Sequence, residues 1–104
     1  MQMAVIVEIN VIPLGKGVSV SKFLAPALKE LDKRKIKYEI TPMCTVFEAE
    51  SIEEAFDIVK AAHEAVFKAG VKRVVTTVKI DDRRDVKKSM EEKIGSLKRA
   101  VKKA

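Results

Sequence analysis

Ile36-Lys-Tyr-Glu-Ile-Thr-Pro-Met-Cys-Thr-Val-Phe-Glu-Ala49 decides the fold, because it holds two strand-like runs back to back. Residues 36–41 alternate apolar and polar, Pro42-Met43 interrupts the run, and residues 45–49 alternate again, which predicts an antiparallel hairpin. Upstream, Val20, Leu24, Ala27, Leu28 and Leu31 recur at three- and four-residue spacing, predicting a helix with Ser19 or Ser21 as its N-cap. Pro26 lies inside that pattern and predicts a kink or a late start. Residues 3–12 form the first alternating run, closed by Pro13, Gly15 and Gly17.

Downstream, Ser51-Ile-Glu-Glu54 has the form of a capping box. It opens an amphipathic stripe of Ile52, Ala55, Phe56, Val59, Ala62, His63, Val66 and Phe67 that Gly70 terminates. Val71–Ile80 is β-branched and reads as the fourth strand. After the charged turn Asp81–Asp85, Val86, Met90, Ile94, Leu97 and Val101 lay a seam along a last helix. The order is βαββαβ plus a helix, which predicts an α+β, ferredoxin-like sandwich: a four-stranded antiparallel sheet with two helices on one face and an added C-terminal helix. At 104 residues, one domain spanning 1–104 is expected.

The net charge of +6 is concentrated at one end: residues 83–104 carry nine basic and three acidic side chains, whereas residues 1–82 carry twelve of each. A solvated face of a terminal helix accounts for this. The apolar segments are strand-length, so no membrane span or leader is expected and the protein is placed in the cytoplasm. The single cysteine, Cys44, permits no internal disulfide.

Side chains alternate across a strand, so the same pattern that builds the core puts Glu8, Asn10, Glu39, Thr41, Glu48, Thr77 and Lys79 away from it. Carboxylates and hydroxyls on a face that helices leave uncovered meet water, a partner subunit or a ligand.

Several linked segments carry a family resemblance: Val11-Ile-Pro-Leu-Gly15, Tyr38-Glu-Ile-Thr-Pro-Met43 with Thr45, Ala62-His-Glu64 with Phe67 and Gly70, and Arg73-Val-Val-Thr-Thr77 leading into Lys79-Ile-Asp-Asp-Arg83 with Asp85. In order and spacing they resemble the YkoF-like thiamine-binding family over almost the whole chain. The resemblance implies non-catalytic binding of thiamine or its hydroxymethylpyrimidine moiety, no cofactor, and assembly through the sheets into dimers or tetramers. Cys44 departs from the glycine usual in that hairpin, which bears on the turn geometry.

Thiamine is a cation with an aminopyrimidine, so a site needs carboxylates, hydroxyl or amide partners and an apolar wall. Glu8, Asn10, Glu39, Thr41, Thr45, Glu48 and Thr77 are the candidate ligand-binding residues, with Val46, Val75 and Met43 as wall, closed by a second sheet. A structural or regulatory oligomeric subunit is the alternative, followed by an RNA-binding domain. The latter is disfavoured because the strand aromatics Tyr38 and Phe47 have core parity and leave no stacking platform. His63, without a neighbouring ligand residue, reads as a satisfied boundary histidine, and nothing local activates Cys44. Asp81, Asp82 and Asp85 lack the spacing of a calcium loop, and Arg83 and Arg84 offer ion-pair partners.

Overall fold

The computed structural model describes residues 4–85 and 89–103. The elements run β1 (Val5–Leu14), α1 (Ser21–Lys33), β2 (Tyr38–Ile40), β3 (Thr45–Ala49), α2 (Ile52–Lys68), β4 (Arg73–Asp82) and α3 (Met90–Lys103). All sheet pairings are antiparallel in the order β2-β3-β1-β4, the ferredoxin-like arrangement. The Val86 position of the expected seam lies outside the described residues.

Val5, Val7 and Ile9 of β1 and Phe47 and Ala49 of β3 share one sheet face, against which Leu31 of α1 and Ala55, Ile58 and Ala62 of α2 are buried. The α2 stripe is rotated from the expected one. Ile58 enters the core, whereas Phe56 is 57% exposed. Positions 55, 58, 62 and 65 lie along one helix face, and three of them are alanine, so the helix approaches the sheet closely and the bulky aromatics are left at its margin.

Local chemistry explains the ends. Ser51 accepts from the Glu54 backbone N–H at 3.1 Å, as a capping box requires. The Glu54 carboxylate reaches one residue further back, accepting from the Glu50 N–H at 2.9 Å. Gly70 takes φ +97°, the left-handed conformation that ends α2. The N-cap of α1 is Val20, with no side-chain cap, so neither Ser19 nor Ser21 fills that role. Pro26 lies within α1 rather than delaying its start.

The end of α1 closes as a Schellman motif. Ile36 N–H donates to Leu31 C=O and Lys35 N–H to Asp32 C=O, both at 3.0 Å. Lys35 occupies the left-handed position at φ +58°, where glycine is the usual residue.

Strand β1 continues through Pro13 to Leu14 instead of stopping at residue 12. Its pairing with β3 ends at Ile9, so at Pro13 it has β4 alone as neighbour and behaves as an edge, where proline is tolerated. Strand β2 is shorter than the expected 36–41, and β4 begins at Arg73 rather than Val71.

Candidate functional site

The register fixes which polar groups meet. Glu39 pairs with Val46, Val46 with Glu8 and Glu8 with Lys79, so these four form one row across the open face of the sheet. Asn10 pairs with Thr77 in the next row and Ile12 with Val75 beyond it. Directly opposed side chains in such rows have Cβ atoms about 5 Å apart. Among the described residues, the Glu8 and Glu39 carboxylates have no hydrogen bond or ion pair.

Glu48 shares the parity of this face but is committed to structure. Its carboxylate accepts from the Met90 backbone N–H at 3.1 Å, at the start of α3, and lies 3.4 Å from Lys37 Nζ. A carboxylate at a helix N-terminus satisfies an orphan donor and complements the helix dipole. Two further contacts fasten the same helix. Lys37 pairs with Glu91, and Lys93 with Asp81, which lies on the far side of Ile6 in the Glu48 row. The first turn of α3 therefore ties down one end of the open face, leaving the rows of Glu8, Asn10 and Ile12 uncovered. The Lys37 hydrogen bond holds the Glu91 carboxyl below its ordinary range, and Glu91 in turn raises Lys37.

Thr41 is also committed. Its Oγ1 accepts from the backbone N–H groups of Met43 (3.2 Å) and Cys44 (3.0 Å), and its own N–H donates to Cys44 C=O at 2.8 Å. This hydroxyl-stabilised turn brings no residue into a positive φ, so Cys44 closes the hairpin where a glycine would otherwise stand.

Thr45 points elsewhere than the expected face. It pairs with Ile9 and shares the core-side parity of Phe47, so it faces the helices rather than the acidic row. There it helps line a cavity of about 250 Å³ between α1 and the β2–β3 turn. Leu24, Leu28 and Leu31 of α1 form one wall, and Ile40, Met43 and Cys44 the other, with Asn10, Thr41 and Thr45 as its polar elements. The Asn10 and Thr45 side chains make no hydrogen bond among the described residues. Helical spacing in the sequence groups Leu24, Leu28 and Leu31 in one apolar pattern. Helical periodicity shows which face is apolar, not whether the opposing hairpin fills it.

The remaining candidates are structural. His63 Nδ1 lies 2.6 Å from Thr76 Oγ1, and its ring meets the edge of Phe67 at 5.2 Å. Cys44 Sγ is 3.4 Å from Thr41 Oγ1. Arg84 pairs with Asp82 at 2.7 Å and Arg83 with Asp85 at 2.6 Å, holding the Asp82 carboxyl below its ordinary range and both guanidinium groups above theirs. Among the described residues no group of acidic, cysteine or histidine side chains has metal-binding geometry, and no helix is long and apolar enough to cross a membrane.

With this geometry in place, the sequence profile of the thiamine-binding protein family matches residues 7–98. The chain belongs to that family. A UPF0045 protein of Methanothermobacter thermautotrophicus is 47% identical over 95 residues, covering 90% of this chain and 96% of that one. A hypothetical protein of Methanocaldococcus jannaschii, solved by crystallography, superposes with a TM-score of 0.83 at 38% identity, covering 93% of this chain and 97% of its own. A Thermotoga maritima protein described as a candidate for thiamine biosynthesis or salvage superposes with a TM-score of 0.75 at 28% identity, covering 90% and 98% of the two chains. The matched span of the thiamine-binding profile runs from the middle of β1 into α3, so it includes both the cavity and the open sheet face.

Proposed function

We propose that this protein binds thiamine-type compounds without transforming them, and that the aminopyrimidine ring enters the cavity between α1 and the β2–β3 turn. The cavity carries the proposal. It is concave and apolar-walled, with the uncommitted hydroxyl of Thr45 at its wall, the combination that small-ligand sites use. Its volume of about 250 Å³ lies below the range typical of drug-sized ligands, and so suits one ring better than the whole two-ring vitamin. Membership of a thiamine-binding family and the likeness to the Thermotoga protein support this ligand class. Binding without chemistry agrees with the engagement of the histidine by Thr76 and of the thiol by the hairpin turn.

A second reading rests on the carboxylates of Glu8 and Glu39, which have no partner among the described residues and flank Val46 beside Asn10 and Thr77. A cationic thiazolium over this row, enclosed by a second copy of the sheet, would gain charge-assisted hydrogen bonds. In neither reading does Glu48 contact ligand, because it caps α3.

Calorimetric titration of thiamine and of hydroxymethylpyrimidine separates these readings. Leu28→Trp, which fills the cavity, should abolish binding if the cavity is the site, and Thr45→Val should weaken it about tenfold. Glu8→Gln or Glu39→Gln should weaken it by one to two orders of magnitude if the acidic row is the site, since a charge-assisted hydrogen bond is worth about 1.5–3 kcal/mol. No heat from either compound at millimolar concentration would reject both and leave a structural or regulatory subunit.

A further inference from the structure

The cavity beside α1 lies where β1 outruns its partner. Pairing between β1 and β3 ends at Ile9 and Thr45, and the turn residues Cys44 and Met43 come next, whereas β1 continues to Leu14. Hydrogen bonds of the hairpin fix which way the main chain faces there. Glu48 N–H donates to Lys37 C=O at 3.0 Å and Thr41 N–H to Cys44 C=O at 2.8 Å, so Cys44 and Glu48 turn their main-chain groups toward β2. In an extended strand both groups of one residue share an edge, and successive residues alternate between edges. Thr45 and Phe47 therefore face β1, and their partners Ile9 and Val7 face β3.

Val11 is the next residue of β1 with that orientation. No residue of β3 stands opposite it, and among the described residues its N–H and C=O have no hydrogen-bond partner. Pro13, which follows on the same edge, has no N–H. Beyond Ile9 this edge thus offers a single donor, beside the carbonyl of the same residue. Val11 lines the cavity. Asn10 lines it too, although its side chain belongs to the other sheet face, so the main chain of this stretch forms part of the wall. Among the described residues that line the cavity none is charged. A charged group would enter such a space without a counter-ion, at a cost that a neutral ring avoids.

We propose that the Val11 main chain reads the ligand, and that the cavity thereby selects a neutral cyclic amidine, a planar ring whose unprotonated nitrogen stands beside an exocyclic amine. Val11 N–H donates to the ring nitrogen, and the amine donates to Val11 C=O. Both main-chain groups are then satisfied. The aminopyrimidine has such an edge, so this proposal rests on the cavity being the ring's site and names the group that recognises it. Protonating the ring nitrogen sets a donor against Val11 N–H and brings a charge into the cavity. A lactam presents donor and acceptor in the reverse order, and turning it over to restore the match moves its substituents to the opposite wall.

Amide-resolved NMR with ligand titration tests this. In the free protein the Val11 amide should exchange at least about tenfold faster than those of Val7 and Ile9, which face β3, and equal protection would overturn the proposal whatever the ligand. Saturation with hydroxymethylpyrimidine should protect the Val11 amide. The deaminated counterpart, with a ring N–H and a carbonyl in place of the nitrogen and the amine, should bind at least about a hundredfold more weakly. Val11→Pro removes the donor on an edge that already accommodates Pro13, and with its fold verified by circular dichroism it should weaken binding about tenfold. Equal affinity for the two compounds, or binding that Leu28→Trp abolishes but that leaves the Val11 amide unprotected, would overturn the proposal and keep the cavity as the ring's site. Binding that Leu28→Trp leaves unchanged, or no binding of either compound, would reject the cavity as that site and this proposal with it.

Discussion

At the scale of single residues, parity separates core from solvent but is blind to what each polar side chain does. Glu48 and Glu8 occupy the same face, yet one caps a helix and the other has no partner among the described residues. Glu48→Ala should cost about 1 kcal/mol, the usual worth of a helix cap, and should act on α3 first. Amide exchange in α3 should accelerate several-fold while the amides around Val7 and Phe47 stay protected. Phe47 sets the opposite limit. It is fully buried between the sheet and the helices, so Phe47→Ala should cost about 3–5 kcal/mol in denaturant unfolding, a large share of what a domain this size possesses. Tyr38 shows how a residue of core parity can still be half solvated, because its hydroxyl donates to Asp32 at 2.7 Å and is held above its ordinary pKa by that bond.

Among elements, the helix ends make the clearest predictions. Lys35 at φ +58° bears the steric cost that a side chain meets in the left-handed region, and Lys35→Gly should stabilise the protein by about 1 kcal/mol in a urea titration. Ser51→Ala should do the reverse by about the same amount. The attachment of α3 should depend on pH. The Glu91 carboxyl is lowered by Lys37 and so favours the attached helix above its ordinary value of 4.5, losing that contribution as pH falls through the lowered value. Lys37 is raised by Glu91, so its contribution is complete below 10.5 and is lost as pH rises through the raised value. Amide exchange of α3, corrected for the intrinsic pH dependence, should be slowest between these limits. The capping box and the terminal Gly70 were legible because a helix end is decided by a few adjacent residues. The core face of α2 was misplaced by one step around the helix, because Phe56 and Ile58 are equally apolar and only the sheet decides which one it admits.

For the whole molecule, half of the basic excess belongs to α3, which carries five basic and two acidic side chains. Lys98, Arg99, Lys102 and Lys103 have no ion pair among the described residues. Binding of duplex DNA through these four should be sequence-independent and should fall about a hundredfold between 50 and 200 mM salt. A fluorescence anisotropy titration at several salt concentrations checks this, and selective binding that survives salt would place the function elsewhere. The sequence by itself determined the βαββαβ order, the antiparallel hairpin and the face of each strand, because strand alternation, helical periodicity and turn chemistry are local. The face of Thr45 follows from the same alternation, since it shares the parity of Phe47; only the tertiary structure decided that Leu24 and Leu28 wall a cavity and that Glu48 is spent on α3. Those outcomes depend on how closely two distant segments approach. The spacing of residues along one chain segment carries no information about that distance.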